Sequence, residues 1–199
     1  HLQQLAYPGS PAGETLTAAA ASAAPTWGAA ASGIYEKVGS YAITTPSTTL
    51  DCTFSAITAD DIASLFIVFN GDWGTGDFKV KFNGTSSTGH STNGLSMNGN
   101  GLLTGFYETD TNGFVLAPSV SAAGSKGVFY IHANLIRSGL NGSSSFFFDA
   151  SGSGTNVASW KSGGFLSDTG LTDISQVNFF KSSGNMAQYS TVDIYKINV

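Results

Sequence analysis

From residue 34 onward the sequence is cut into short strand-like runs by the dipeptide Asn-Gly, which begins at Asn70, Asn83, Asn93, Asn98, Asn100, Asn112 and Asn141. Asn followed by Gly suits the two positive-φ positions of a type I′ turn, so hairpins are expected to dominate the topology. The runs between these steps are rich in aromatic and β-branched residues and alternate with a period of two. In Asp77-Phe-Lys-Val-Lys-Phe82 the alternation is complete. Phe78, Val80 and Phe82 should face a core, with Asp77, Lys79 and Lys81 in water. By the same count Leu50, Cys52 and Phe54 point inward, and Thr49, Asp51 and Thr53 outward. Leu65–Phe69 and Phe146–Phe148 are apolar on both faces, as in central strands or strands covered by a neighbouring subunit. Val128–Leu135 and Phe114–Ala117 complete the set, with Pro118 ending the latter. A single helical turn is expected over Ala59–Ala63. The pattern predicts an all-β fold, a jelly-roll-like β-sandwich over residues 34–199.

The first thirty-three residues differ. Ala, Ser, Gly and Pro dominate from Ala6 to Gly33, too little aliphatic volume to form a core alone. Residues 1–33 therefore read as an extended attachment or linker segment. Its landmarks Leu5, Tyr7, Leu16 and Trp27 are the side chains expected to pack on other chains. The sequence opens at His1 rather than Met, so a preceding segment is expected to have been removed. The formal charge of −5 is spread thinly, with no run of Lys or Arg that could track a phosphate backbone, which argues against nucleic acid. No apolar run approaches the roughly 20 residues that cross a bilayer as a helix, so no membrane insertion is expected. One cysteine permits no internal disulfide and fits assembly in a reducing cytoplasm.

The terminal run from Ile174 to Ile197 reads as two strands joined by a polar connection. Its order is an apolar strand through Phe179-Phe180, then Ser182-Ser-Gly-Asn185, then a strand ending in Tyr195-Lys-Ile197. This run resembles the closing hairpin of C-terminal domains in tailed-bacteriophage fibre, tail and decoration proteins. Those domains open with strands similar to Tyr35–Tyr41 and Leu50–Phe54. Gly13-Glu-Thr-Leu-Thr17 and Pro25-Thr-Trp27 are likewise similar to the connectors that precede such domains. The resemblance implies a structural virion protein: a homotrimer, assembled in the bacterial cytoplasm with other virion proteins and possessing no enzymatic activity. Contact with a host-surface glycan, as in a lectin-like receptor-binding module, is the alternative. A glycan-cleaving tail enzyme is a third.

Candidate sites follow from these readings. Asn70-Gly-Asp-Trp-Gly-Thr-Gly-Asp77 places an aromatic face for sugar C–H groups beside Asp72 and Asp77, which would accept hydroxyl protons, and its glycines would allow close approach. Glycan contact is therefore expected at Asp72, Trp73 and Asp77, unless Trp73 caps the end of the core or packs on an adjacent subunit. Trp160, in a similar Ser/Gly-rich setting, joins the set. The run beginning Glu108-Thr-Asp-Thr-Asn-Gly113 starts like a calcium loop, but its twelfth position is Ser119 rather than Glu, so no metal or cofactor is expected and Asn112-Gly113 reads as a hairpin turn. Catalysis finds three histidines, His1, His90 and His132, and no nucleophile elbow. The carboxylate pairs a glycosidase would need are Asp72 with Asp77, or Asp149 with Asp168.

Overall fold

The computed structural model describes residues 14–17, 26–29, 34–58, 62–74, 76–84, 90–98, 103–110, 112–117, 126–137, 144–154, 157–166 and 170–198. The chain divides into two units, His1–Ile34 and Tyr35–Val199. In the first, β1 (Glu14–Thr17) pairs antiparallel with β2 (Thr26–Ala29), setting Leu16 opposite Trp27. The segment expected to be simply extended thus contains a two-stranded ladder. Leu5 and Tyr7 lie outside the described residues, as do the side chains of Leu16 and Trp27.

The second unit is all-β, and no helix occurs among the described residues. Its strands are β3 (Tyr35–Ala42), β4 (Thr49–Thr58), β5 (Ile62–Asp72), β6 (Phe78–Phe82), β7 (His90–Asn98), β8 (Leu103–Asp110), β9 (Phe114–Ala117), β10 (Lys126–Arg137), β11 (Ser144–Gly154), β12 (Val157–Leu166), β13 (Asp173–Lys181) and β14 (Thr191–Ile197). One sheet runs β3-β14-β5-β10-β11-β12-β7-β8 and the other β4-β13-β6-β9, every neighbouring pair antiparallel. Of the helical turn expected at 59–63, Ile62 and Ala63 instead begin β5, and residues 59–61 lie outside the described set.

Hairpins join β7 to β8 and link β10, β11 and β12 in sequence. Elsewhere the hairpin expectation is corrected. Asn70-Gly71 and Asn93-Gly94 lie inside β5 and β7. Asn83 and Gly84 do take positive φ, 50° and 63°, but they follow a strand of the small sheet and lead to one of the large sheet. Asn112-Gly113 likewise separates strands of different sheets. The two strands of the terminal run, β13 and β14, also part company, one to each sheet. Their connection bonds outward to other loops. Ser182 N donates to Asp77 O, Met186 N to Ser47 O, Ala187 N to Asp72 O and Tyr189 N to Ile43 O, at 3.1, 2.8, 2.8 and 2.8 Å. Period-two alternation reports which face a residue takes, not which strand it pairs with.

The inward faces match the alternation. Leu65, Ile67 and Phe69 of β5, Phe129 and Ile131 of β10, and Val192 and Ile194 of β14 meet Cys52 of β4, Val177 and Phe179 of β13, and Phe78, Val80 and Phe82 of β6 in one buried cluster. Each large side chain so buried contributes about 1.5–3 kcal/mol of transfer free energy. Lys79 departs from expectation. It is nearly buried on the outer side of β6, opposite Phe180 of β13 and Val115 of β9, with Nζ 3.7 Å from the Asp77 carboxylate.

Edge strand β9 is buried along its whole length. Val115 turns its N–H away from β6 and donates to Thr92 Oγ1 of β7 at 3.1 Å. The His90 ring meets Phe114 edge-on at 4.8 Å. The hairpins β7–β8 and β11–β12, joined through β12 and β7, thus prolong the large sheet past β10 and cover the edge of the small one. That removes an exposed ladder to which another chain could add.

Candidate ligand-binding surface

The loop between β5 and β6 was the sequence's strongest ligand candidate. Trp73 is fully buried. Its ring stacks on Phe78 at 5.9 Å and meets Phe129 and Phe69 edge-on at 4.9 and 6.4 Å. It presents no face to a ligand, so the expected sugar contact at Trp73 is corrected: the ring closes one end of the core, because packing an indole among three phenyl rings stabilises more than exposing it would. The loop's glycines serve the backbone. Gly74 and Gly76 take φ of 60° and 89°, and a Cβ on Gly76 would lie 2.5 Å from Ser183 Oγ. Asp77 is tied to the β13–β14 connection, its N–H donating to Ser182 Oγ at 2.9 Å. Trp160 lies in β12 opposite Gly152 and Ser96, and its side chain is outside the described residues.

Asp72 keeps an open position. Its Oδ1 accepts the Gly74 N–H at 2.8 Å, and Oδ2 lies 3.8 Å from Lys126 Nζ. Together with Asn70, Gln188, Tyr189 and Ser190 these residues line a surface hollow of about 260 Å³. Tyr189 is 81% exposed and holds φ at 70°. A bulky residue in the left-handed region is held at a cost of order 1–3 kcal/mol and persists only where its surroundings fix it. Here they do. Tyr189 N–H is bonded to Ile43 O, Ile43 N–H to Ser190 O, and Ser190 Oγ both donates to Ala187 O at 2.9 Å and accepts the Asp72 N–H at 3.1 Å.

A larger concavity of about 770 Å³ opens on the sheet's prolongation. Asp149, Gly163, Asn93 and Tyr107 lie in register across β11, β12, β7 and β8, and Lys161, Leu95 and Gly105 form the next row. Gly163 and Gly105 leave a bare backbone floor beneath Tyr107, which is 65% exposed. Toward β3 the same row continues through His132 and Phe66 to Tyr195. Phe66 there stacks on Tyr130 at 6.2 Å and meets His132 at 4.9 Å.

Tyr189 and, Asp149 apart, the residues of the larger hollow were not singled out by the sequence. Signals for them existed: an aromatic between Gln188 and Ser190 in a turn-rich connection, and glycines inside strands, which mark a close approach or a missing side chain. Asp149, one member of an expected carboxylate pair, is exposed at the larger hollow, while Asp168 lies outside the described residues. Among the described residues no cluster of His, Cys, Asp and Glu could hold a metal ion. No helix among them is long and apolar enough to cross a membrane. No protein-family model, curated protein or solved structure matches this chain.

Proposed function

We propose that the chain is a structural component of a tailed-bacteriophage particle, a fibre, tail or head-decoration protein that attaches through residues 1–33 and displays the sandwich. The strand order carries this reading. Without the β7–β8 and β11–β12 hairpins, the sheets are β3-β14-β5-β10 and β4-β13-β6-β9, and successive strands among these eight switch sheets at every step except β6 to β9, which are neighbours in the small sheet. We read that order as a jelly roll, an architecture used by viral capsid and lectin domains. The run that resembles phage domains supplies an interior strand to each sheet, β13 between β4 and β6 and β14 between β3 and β5. In this proposal the protein is a homotrimer in the virion, with Leu5, Tyr7, Leu16 and Trp27 packed on neighbouring chains.

Deleting residues 1–33 tests it. The buried cluster runs from Ile43 to Ile194, within the second unit, so the shortened chain should fold yet fail to join particles. Particle occupancy equal to that of the full chain would move attachment onto the sandwich and overturn the anchor.

Fold alone does not choose between capsid and lectin roles. The hollow at Asp72, with an exposed tyrosine at its rim, favours a second reading in which the displayed sandwich contacts a host-surface glycan. Cleavage is not proposed. Glycoside hydrolysis uses two carboxylates about 5–9.5 Å apart, and each hollow has a single acid among the described residues that line it, Asp72 in one and Asp149 in the other.

A further inference from the structure

The tyrosine at position 189 has no purpose in the fold. At φ of 70° an Asn or Gly would sit with less strain, and at 81% exposure its ring gains almost nothing from burial. The hydrogen bonds that fix this turn use backbone atoms of residue 189 and would form with any side chain there. A large aromatic held in a disfavoured conformation by a fixed frame, with its face in solvent, points to a partner for that face.

The surroundings define the partner's chemistry. Asp72, with one oxygen oriented by the Gly74 N–H, offers acceptor lone pairs; Lys126 offers N–H donors; Asn70 and Gln188 offer both. One carboxylate and one ammonium line the hollow, so no net charge draws a polyanion or a cation. Lys181, whose ammonium also senses Asp72, is buried rather than part of the lining. Alternating donors and acceptors beside an aromatic face match the ring of hydroxyls and the C–H face of a neutral sugar. The hollow's volume of about 260 Å³ suits one ring rather than a chain.

We propose that residues 70–72, 126–127 and 187–190 form a site for a single neutral pyranose unit, stacked on Tyr189 and hydrogen-bonded by Asp72, Lys126 and Asn70. The proposal deepens the glycan reading and is independent of how the protein attaches to a particle. Rigidity is part of the site, because a frame already ordered has little entropy to lose on binding.

Saturation-transfer NMR on the full chain, with the methyl glycosides of glucose, galactose, mannose and N-acetylglucosamine as probes, tests it. At least one glycoside should receive saturation, strongest at its ring C–H protons. Tyr189→Asn should weaken that glycoside's binding about tenfold or more, while its thermal midpoint stays level or rises because strain is relieved. Tyr189→Phe, which keeps the face, should retain binding. Three results would overturn the site: no transfer to any of the four sugars, equal binding by Tyr189→Asn, or a lowered midpoint in that variant, which would make the tyrosine a fold residue. Particle occupancy of Tyr189→Asn reports on attachment alone, so the two readings fail separately.

Discussion

Cys52 shows how far a single position can be argued. It alternates with Leu50 and Phe54, and it is fully buried as a free thiol. Burial, with a smaller effect from the Asp51 charge, pushes the thiol up to about 12. A raised native value means that the folded protein keeps a proton the unfolded chain releases above 9.0, its ordinary value. The sign follows: this contribution to stability is intact below that pH and is lost as the pH rises toward about 12. Cys52→Ala should therefore flatten the alkaline limb of a stability-versus-pH curve relative to wild type, at a cost of about 1 kcal/mol at neutral pH. A thiol reagent should label Cys52 only after unfolding, and rapid labelling of the native protein would contradict the inward register. Glycines give a graded test. Gly113 has φ of 151°, and a Cβ there would lie 2.7 Å from Val80 O and 2.9 Å from the Phe180 ring. Gly84 has φ of 63° with its nearest neighbour, Gln176 Oε1, 3.8 Å away. Alanine at 84 meets only backbone strain, about 1–2 kcal/mol, whereas at 113 a steric clash adds to it. Denaturation midpoints should rank the variants in that order.

At the scale of elements, β9 depends on the hairpins that prolong the other sheet. The Val115 N–H is buried, and its bond is to Thr92 Oγ1. Thr92→Val keeps the shape and removes the acceptor, so it should cost about 1–3 kcal/mol and speed hydrogen exchange at the Val115 amide. Unchanged exchange there would show that the cover is not what protects the edge. Strand faces were legible in the sequence wherever a run alternated cleanly, as at Phe78, Val80 and Phe82, because period two has one physical cause. β7 was not legible. His90–Asn98 carries Ser, Thr, Asn and Gly where a strand usually carries branched side chains, and it is a strand because β12 and β8 pair with it on both sides. Trp73 misled for a related reason: a Gly-rich loop looks exposed in one dimension, and only the sheets' closure sets its ring among Phe69, Phe78 and Phe129. Tyr189 was hidden because its interest lies in a backbone angle and an exposure that no spacing encodes.

For the whole molecule, the separation of β13 from β14 bears on how the protein is made. Both are interior strands, each bonded on both edges. Until they emerge from the ribosome, β4 has no link to β6 and β3 none to β5, so each sheet lacks an interior strand. Strands β3 to β12 must wait as an incomplete assembly whose open ladders invite pairing with other nascent chains. Pairings so distant along the chain are slow to form. A stop codon after Lys181 should consequently give an aggregated product, whereas a ribosome paused with Ile197 clear of the exit tunnel should carry a protease-resistant domain. The sandwich closes only once β13 and β14 arrive, and nascent copies held close together on one message are the ones most exposed to mispairing.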